Sequence, residues 1–181
     1  MTNRFAEMDC FVLAGGRSNE SEDFEKVGEL TRLEKGYRRY AAVFEKVRLV
    51  LKKDQATERY LNYPHICDEV SDRDAAVGIK AALEQSDCEA VFIGCSDIAD
   101  FPLELAAELV KNYNGELFLG YRDESGRAGK YQPLFGVFSK KLVQHLESAG
   151  LSFKGLSEML NREGRLMPLP EGVTAGQLGL G

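Results

Sequence analysis

The sequence has no apolar run long enough to cross a membrane and no excess of positive charge. Its apolar runs all fall short of the roughly 20 residues that a transmembrane helix needs. The 181 residues include 23 Lys and Arg against 29 Asp and Glu, which gives a net charge of −6. A domain that binds a nucleic-acid backbone carries a basic patch, and an acidic chain is repelled by anionic lipids. We therefore expect no nucleic-acid partner and no membrane association.

The sequence also lacks paired cysteines and a secretory segment. The four cysteines form no CxxC pair and have no metal-ligand spacing with histidine. The first residues, MTNRFAEMD, contain no apolar stretch of the kind found in signal peptides. Cys10 and Cys95 stand in apolar runs, which predicts buried, reduced thiols. A cytoplasmic location is the expectation.

Two common phosphate-binding patterns, GxGxxG and GxxxxGK[ST], are absent. The chain has instead FVLAGG (11–16), an apolar run that ends in two glycines and is followed by an acidic stretch and Lys26. The backbone N–H groups of Gly15 and Gly16 can approach a phosphate closely, and Lys26 can supply positive charge. On these residues alone, a strand that ends in a tight turn is the favoured interpretation.

Short apolar runs alternate with helical patterns along most of the chain. The strand-like runs are CFVLA (10–14), VRLVL (47–51), HIC (65–67), AVFIGC (90–95), ELFLGY (116–121) and KYQPLFGVF (130–138). Helical spacing covers 37–46, 73–85, 103–111, 140–149 and a stretch from Ser152 to Gly164, with Ser139 and Ser152 as possible N-caps. This alternation predicts an α/β fold with a mostly parallel sheet covered on both faces.

The polar segments 17–35 and 122–129 are expected to form mobile loops. Residues 168–181 have four glycines and weak periodicity, so they are a candidate for a poorly ordered tail of a single domain spanning 1–181.

Two aspartates stand just after predicted strands, where open parallel sheets bind their ligands. Asp97 follows AVFIGC, and Asp68 follows HIC. A carboxylate at the end of a central strand can hold Mg²⁺, which in turn contacts nucleotide phosphates. The alternatives are a helix cap at Asp97 or Asp100, and a solvated loop carboxylate at Asp68.

The order of these motifs resembles the molybdenum cofactor guanylyltransferases, the MobA-type nucleotidyltransferases. The matching elements are LAGGRS, Glu25-Lys26, an aspartate ahead of a helix, SDIADFP and QPLFGVF, so the resemblance runs from about residue 11 to about residue 160. It implies a three-layer, Rossmann-like fold of the nucleotide-diphospho-sugar-transferase type. It also implies transfer of GMP from GTP to molybdopterin or a similar phosphorylated acceptor, with Mg²⁺ as cofactor. Molybdoenzymes or other cofactor-assembly proteins become candidate partners.

The resemblance also assigns roles residue by residue. It implies a catalytic role for Lys26 and Asp97, with Asp97 as the metal ligand, and it places Asp68 where guanine is recognised. Gln132 and Pro133 fall on the acceptor side. The residues implied to bind the nucleotide are Leu13, Ala14, Gly15, Gly16, Lys26, Asp68 and Gly78.

The sequence departs from the family pattern at several positions. NESEDF (19–24) replaces an arginine, a methionine and a glycine, and its three carboxylates would repel phosphates. DAAVG (74–78) replaces the GPLAG turn, a lysine, Lys53, stands where an asparagine is usual, and a C-terminal Asn-x-Asn-Thr-Pro motif is missing. Two alternatives therefore stay open. One is a related nucleotidyltransferase with another nucleotide or acceptor, and the other is a non-catalytic module that binds a nucleotide or a protein partner.

Overall fold

The computed structural model describes residues 4–14, 26–52, 59–68, 74–98, 100–124, 130–149 and 152–179. The strands in these ranges are β1 (Cys10–Leu13), β2 (Lys26–Val27), β3 (Leu30–Thr31), β4 (Val47–Lys52), β5 (His65–Asp68), β6 (Ala90–Cys95), β7 (Phe118–Asp123), β8 (Lys130–Ser139) and β9 (Arg165–Pro168). The α-helices are α1 (Arg32–Ala41), α2 (Ala75–Gln85), α3 (Leu103–Asn112), α4 (Leu142–Ala149) and α5 (Phe153–Glu163). A 3₁₀ helix follows at Ala175–Leu178.

Seven of these strands form one sheet in the order β5-β4-β1-β6-β8-β7-β9. Strands β5, β4, β1 and β6 run parallel, and β9 is parallel to β7. Strand β8 is antiparallel to both of its neighbours, β6 and β7. The sheet is therefore mostly parallel, as the alternation of strand and helix patterns predicted. Strands β2 and β3 form a separate two-stranded hairpin.

Helices cover both faces of the sheet. Neighbouring residues of a strand point to opposite faces. Gly36 of α1 lies against Val12, whereas Gly78 of α2 lies against Leu13, so these two helices pack on opposite sides of β1. Helix α2 is linked to α4 by an ion pair between Lys80 and Glu147, at 3.7 Å. The three-layer arrangement predicted from the sequence is confirmed.

The central strands are apolar because both of their faces are covered. Every residue of β1 and of β6 is buried, which is the pattern expected of strands inside a parallel sheet. On the face of α1, the ring of Tyr40 lies 4.8 Å from that of Phe101 and 6.0 Å from that of Phe92, measured between centroids. Phe101 precedes α3, so this aromatic cluster seats α1 and the start of α3 on the same side of the sheet.

The six predicted strands are all present, and their ends differ from the sequence prediction by two residues at most. Helix α1 begins five residues earlier than predicted, because Thr31 and Glu34 form a capping box at its start. Ser152 caps α5 as predicted. Ser139 instead accepts a hydrogen bond from the Lys141 N–H, at 3.3 Å, and α4 begins at Leu142.

The sequence prediction missed the β2–β3 hairpin, strand β9 and the 3₁₀ helix. The hairpin and the start of α1 lie inside 17–35, which was expected to be a mobile loop; residues 17–25 lie outside the described part of the chain, as does most of 122–129. The chain from Pro168 onward also differs from the expected poorly ordered tail. Leu178 is fully buried, and its carbonyl accepts a hydrogen bond from the Gln132 side chain, at 2.8 Å.

Among the described residues, the structure has no helix that is both long and apolar enough to pass through a membrane. All four cysteines are free, and Cys10 and Cys95 are buried as predicted. Burial raises the pKa of the Cys10 thiol well above its usual range, and the neighbouring Asp9 adds to this shift. Cys67, by contrast, is exposed.

Candidate active site

The carboxyl ends of the parallel strands meet at one edge of the sheet, which we call the carboxyl edge. Leu13, the last residue of β1, pairs with Val50 of β4 and with Cys95 of β6. Just beyond the strand, the Ala14 N–H donates to the Val50 carbonyl at 3.1 Å, and the Ser96 N–H donates to the Leu13 carbonyl at 3.2 Å. Ala14, which follows β1, and the loop after β6 therefore lie side by side, where ligands of parallel sheets bind.

Three of the predicted site residues are described only in part or not at all. Asp68 is the last residue of β5 and pairs with Lys52 at the end of β4, so its backbone lies at the carboxyl edge. The position of its side chain is outside the described part of the structure. Gly15 and Gly16 lie outside the described residues, as does Lys53.

Asp97 is an exposed residue on a loop that is held from both sides. The Ile98 N–H donates to the Cys95 carbonyl at 3.2 Å, and Ile98 and Phe101 are 2% and 0% exposed. The Phe101 carbonyl accepts two hydrogen bonds from the guanidinium group of Arg39, one of them from Nε at 2.9 Å. Asp97 is thus presented to solvent by a well-anchored turn.

Neither aspartate of this loop is the N-cap residue of the helix that follows. Pro102 is the N-cap residue of α3, and no side-chain hydrogen bond forms there. The position suits proline, which has no N–H to satisfy in the first turn. The cap interpretation of Asp97 and Asp100 is therefore not supported.

Lys26 lies on the β2–β3 hairpin, directly opposite Thr31. The hairpin turns at Gly28, whose φ of 78° suits the first position of a type II′ turn. Thr31 is also the N-cap of α1, and α1 leads from the end of β1 to the start of β4. Its N-terminus must therefore lie at the carboxyl edge, and the exposed Lys26 lies there too.

A buried carboxylate anchors this hairpin, and the sequence prediction missed it. Glu34 of α1 is 5% exposed and accepts hydrogen bonds from the Arg59 guanidinium, at 2.5 and 3.1 Å, and from the Tyr63 hydroxyl at 3.3 Å. Burial alone would raise the pKa of Glu34. The hydrogen bonds from Arg59 and Thr31 outweigh that effect, and the pKa is lowered. Only the Thr-x-x-Glu capping box at 31–34 offered a sequence signal.

Gly78 has a packing function in the structure. A side chain built at this position would come 3.2 Å from Leu13 and 3.6 Å from Val50, so glycine lets α2 approach the ends of β1 and β4. The nucleotide-binding role implied by the resemblance stays a prediction for this residue.

Gln132 and Pro133 lie in the first half of β8. Because Ile93 of β6 pairs with Gly136, and β8 runs antiparallel, Gln132 lies beyond the end of β6, at the same edge as Asp97. Its side-chain amide donates to the Leu178 carbonyl and accepts from the Leu134 N–H at 3.0 Å. Gly179 lies between Gln132 and Ile98. The C-terminal segment therefore borders the predicted acceptor side.

The donor set at this edge suits an ion that is shared with a substrate. Among the described residues, no three His, Cys, Asp or Glu side chains come together as a metal cage. Magnesium is commonly held by one or two carboxylates, with water and substrate phosphates as its remaining ligands. Asp97, an exposed carboxylate at the end of a central strand, fits that pattern.

A separate groove of about 490 Å³ lies where Phe5 and the end of α1 meet α3, and Leu103 and Ala107 line it. No residue predicted for the active site lines this groove. The candidate chemistry therefore belongs to the open carboxyl edge.

Residues 10–166 match the family model described as the MobA-like NTP transferase domain. The chain is also 30% identical, over 147 residues, to a Flavobacterium johnsoniae protein named "Probable molybdenum cofactor guanylyltransferase". That match covers 78% of this chain and 74% of the relative.

Two solved structures share the fold. A protein from Aquifex aeolicus VF5 matches with a TM-score of 0.70 and 26% identity, covering 94% of this chain and 90% of the other. Molybdopterin-guanine dinucleotide biosynthesis protein A from Archaeoglobus fulgidus matches with a TM-score of 0.66, covering 90% of this chain and 83% of the other. At 19% identity, the second match shows the likeness of fold alone.

Proposed function

This chain belongs to the MobA-like NTP transferase family and is a nucleotidyltransferase, and we propose that it transfers GMP from GTP to molybdopterin or a similar phosphorylated acceptor. The observation that carries this proposal is the meeting of three parts at the carboxyl edge. They are the end of β1 at Leu13 and Ala14, the anchored loop of Asp97 and the hairpin that bears Lys26. The 30% identity to a relative named as a guanylyltransferase supports the choice of nucleotide.

In the proposed reaction, a phosphate oxygen of the acceptor attacks the α-phosphorus of GTP. A new phosphoanhydride bond forms, the bond between the α- and β-phosphates breaks, and pyrophosphate leaves with the electron pair. The protein makes no covalent bond in this step. Its contribution is to align the two phosphates and to neutralise their charge.

The chain's own residues supply these two contributions. Lys26 lies on the exposed side of its hairpin, from which its ammonium group would steady the triphosphate. The backbone after Leu13 would cradle the phosphates, because the turn at Ala14 is tied to β4 and to the loop after β6. Asp68 would accept hydrogen bonds from N1–H and N2–H₂ of guanine, a donor pair that adenine does not offer.

Enzymes of this family typically depend on a divalent metal. Asp97 is the residue that would hold Mg²⁺, and the bound ion would offset negative charge on the phosphate oxygens. Gln132 and Pro133 would border the acceptor. Molybdoenzymes or other cofactor-assembly proteins would receive the product, and we place the reaction in the cytoplasm.

A second candidate is a transferase of the same family with another nucleotide or acceptor. The acidic NESEDF segment supports it, since its carboxylates replace an arginine that would neutralise a triphosphate.

Calorimetric titration of GTP, CTP and ATP, with and without Mg²⁺, tests the proposal. We expect GTP to bind most tightly, with an affinity that Mg²⁺ increases. In Asp68→Ala the preference for GTP over ATP should fall. Preference for CTP would favour the second candidate, and no binding of any nucleotide would refute transferase activity in favour of a non-catalytic module.

The Asp97 loop offers a matched control for the metal assignment. Asp97 and Asp100 are both exposed and stand on either side of the buried Ile98. We expect Asp97→Asn to lower turnover by about 100-fold or more, because the proposed metal ligand is weakened. Asp100→Asn should leave turnover nearly unchanged. Equal activity of the two variants would remove Asp97 from the metal site.

A further inference from the structure

One arginine outside the predicted site connects the Lys26 hairpin to the rest of the fold. Arg59 lies in the turn before β5, and its Nη2 and Nε donate to the two carboxylate oxygens of Glu34 at 2.5 and 3.1 Å. Nη2 also contacts the Glu29 carbonyl, in the hairpin turn, at 3.3 Å. A planar guanidinium group with several fixed donors suits this double attachment. A single side chain thus bridges the hairpin turn and the first turn of α1.

Glu34 in turn contacts Thr31, the residue opposite Lys26 in the hairpin. Oε2 of Glu34 accepts a hydrogen bond from the Thr31 N–H at 2.7 Å. The Thr31 hydroxyl group in turn accepts one from Tyr60, the neighbour of Arg59, at 3.1 Å. Thr31 is the strand partner of Lys26. The contacts therefore run from Arg59 through Glu34 and Thr31 to the backbone of Lys26.

The hairpin depends on such contacts because it is very small. Strands β2 and β3 have two residues each and form a sheet of their own. A two-stranded hairpin is marginally stable by itself in water. Beyond its covalent link to α1 at Thr31, its orientation beside the carboxyl edge depends on side-chain contacts, and the segment would open locally if they were lost.

We propose that Arg59 is the positioning residue for Lys26: through Glu34 and Thr31 it fixes the hairpin against α1, and so sets where the Lys26 ammonium meets the phosphates of a nucleoside triphosphate. This inference rests on the proposed function. Because Arg59 also stands next to Tyr60 and leads into β5, it joins the hairpin to the strand that ends at Asp68.

The loss of a positioning residue changes nucleotide affinity through Lys26, whereas the loss of a purely structural residue changes only global stability. The Arg59 side chain is 37% exposed, but its partner Glu34 is buried, so the loss of Arg59 leaves a buried carboxylate without its counter-charge and lowers global stability as well. The position of Lys26 depends on the hairpin and on the contacts that fix the hairpin against α1. A positioning role therefore predicts that the loss of affinity in an Arg59 variant disappears when Lys26 is already absent, which a loss of stability alone would not produce.

A double-mutant cycle on GTP affinity in the presence of Mg²⁺ tests this coupling. We expect Lys26→Gln and Arg59→Gln each to weaken binding, by about tenfold and about fivefold, and the double variant to bind no more weakly than Lys26→Gln alone. Arg59→Lys keeps the charge but loses the paired donors, so its affinity should be intermediate. It also serves as the test variant if Arg59→Gln does not fold.

Arg165 provides a matched control. Its Nη1 lies 2.5 Å from Glu116, and its Nη2 donates to the Asn112 carbonyl at 3.0 Å, so it repeats the chemistry of Arg59. It opens β9, which is parallel to β7, and therefore lies at the opposite, amino edge of the sheet. Arg165→Gln should leave GTP affinity unchanged.

Hydrogen exchange of the 26–31 backbone gives a readout that needs no nucleotide. Exchange there should speed up in Arg59→Gln and stay unchanged in Arg165→Gln. Unchanged exchange in Arg59→Gln, or additive losses of affinity in the cycle, would overturn the inference while leaving the proposed function intact. A failure of the unmodified protein to bind any nucleotide would refute the proposed function, and the role of Arg59 with it.

Discussion

The pKa of the Glu34 carboxyl group is lower in the folded protein than in an unfolded chain, so the stability of the fold depends on pH through this residue. Hydrogen bonds from Arg59 and Thr31 lower this pKa in the folded protein, against the opposing effect of burial. A carboxyl group with a depressed folded pKa contributes stability above its unfolded pKa, and that contribution disappears as the pH falls through the folded value. The ordinary pKa of a glutamate is 4.5. The stabilisation should thus be complete near neutral pH and fade below about pH 4.5.

Glu34→Gln should therefore cost stability in a pH-dependent way. Near pH 7 we expect a loss on the order of 1 kcal/mol in the free energy of unfolding, because a charged acceptor becomes a neutral one. The difference from the unmodified protein should narrow as the pH falls below about 4.5. Urea unfolding at several pH values measures this, with Glu45→Gln as a control at an exposed position. A loss that is independent of pH would show that the carboxylate charge is not responsible.

Individual residues were predictable from the sequence only where a local pattern marks them. Asp97 follows an apolar strand, and Lys26 stands at a fixed place in a family motif, so both could be named and both lie at the carboxyl edge. Arg59 and Arg39 could not be named in this way. Their partners, Glu34 and Phe101, are 25 and 62 residues away along the chain, and no local spacing encodes such contacts.

At the level of elements, strands were predicted more accurately than the short pieces between them. A buried strand such as β6 is a continuous apolar run with clear ends, whereas β2 and β3 are too short to show any alternation. In strand β9 the two central side chains, Leu166 and Met167, are both half-buried, so burial does not alternate along the strand. The strand also lies at the edge of the sheet. Its sequence, RLMP, therefore has no distinct strand pattern.

Asp74 joins two helices, and this is a contact that the helix patterns did not reveal. As the N-cap of α2 its carboxylate accepts from the Ala76 N–H at 2.9 Å. Both of its oxygens also lie 2.8 Å from the Phe153 N–H, at the first residue of α5. One aspartate thus satisfies the end of α2 and fixes the start of α5 beside it. It stands where the related family has the first glycine of its GPLAG turn.

Asp74→Ala should accordingly cost more stability than the loss of an ordinary cap. We expect about 2 kcal/mol from urea unfolding, because two helix N-termini lose an acceptor. Ser152→Ala is the matched control, since Ser152 caps α5 through a single bond to Gly155 at 3.4 Å, and about 0.5–1 kcal/mol is expected there. Similar losses in both variants would mean that the bond from Asp74 to Phe153 adds no stability.

At the level of the whole molecule, the fold class followed from the sequence but the strand order did not. Alternating strands and helices predict parallel pairing. They do not show that β8 inserts between β6 and β7 with the opposite direction. That reversal is what carries Gln132 past the end of β6 to the carboxyl edge. The acceptor side could therefore be inferred from a resemblance, while its geometry required the sheet.

The C-terminal segment closes this side of the molecule, and its docking can be measured. Leu178 is fully buried, whereas Val173 and Ala175 of the same segment are only partly buried against the core. Leu178→Ala should lower the free energy of unfolding by about 2 kcal/mol. The destabilisation caused by Leu178→Ala cannot exceed the free energy with which the C-terminal segment docks. Once the segment has detached, a substitution in it removes no further stability. Truncation after Val173 should thus destabilise the protein by at least as much.

GTP affinity, measured in the Leu178 variant, distinguishes the nucleotide side of the site from the acceptor side. The residues proposed to hold GTP lie on β1, β5 and the Lys26 hairpin, whereas the C-terminal segment contacts Gln132 and Ile98. GTP binding should therefore persist in Leu178→Ala. Leu61→Ala is the control, because Leu61 is 58% exposed and its loss should change stability by less than about 0.5 kcal/mol. Equal stabilities of the Leu178 and Leu61 variants would show that the segment is undocked in solution, and Gln132 would then be available to the acceptor.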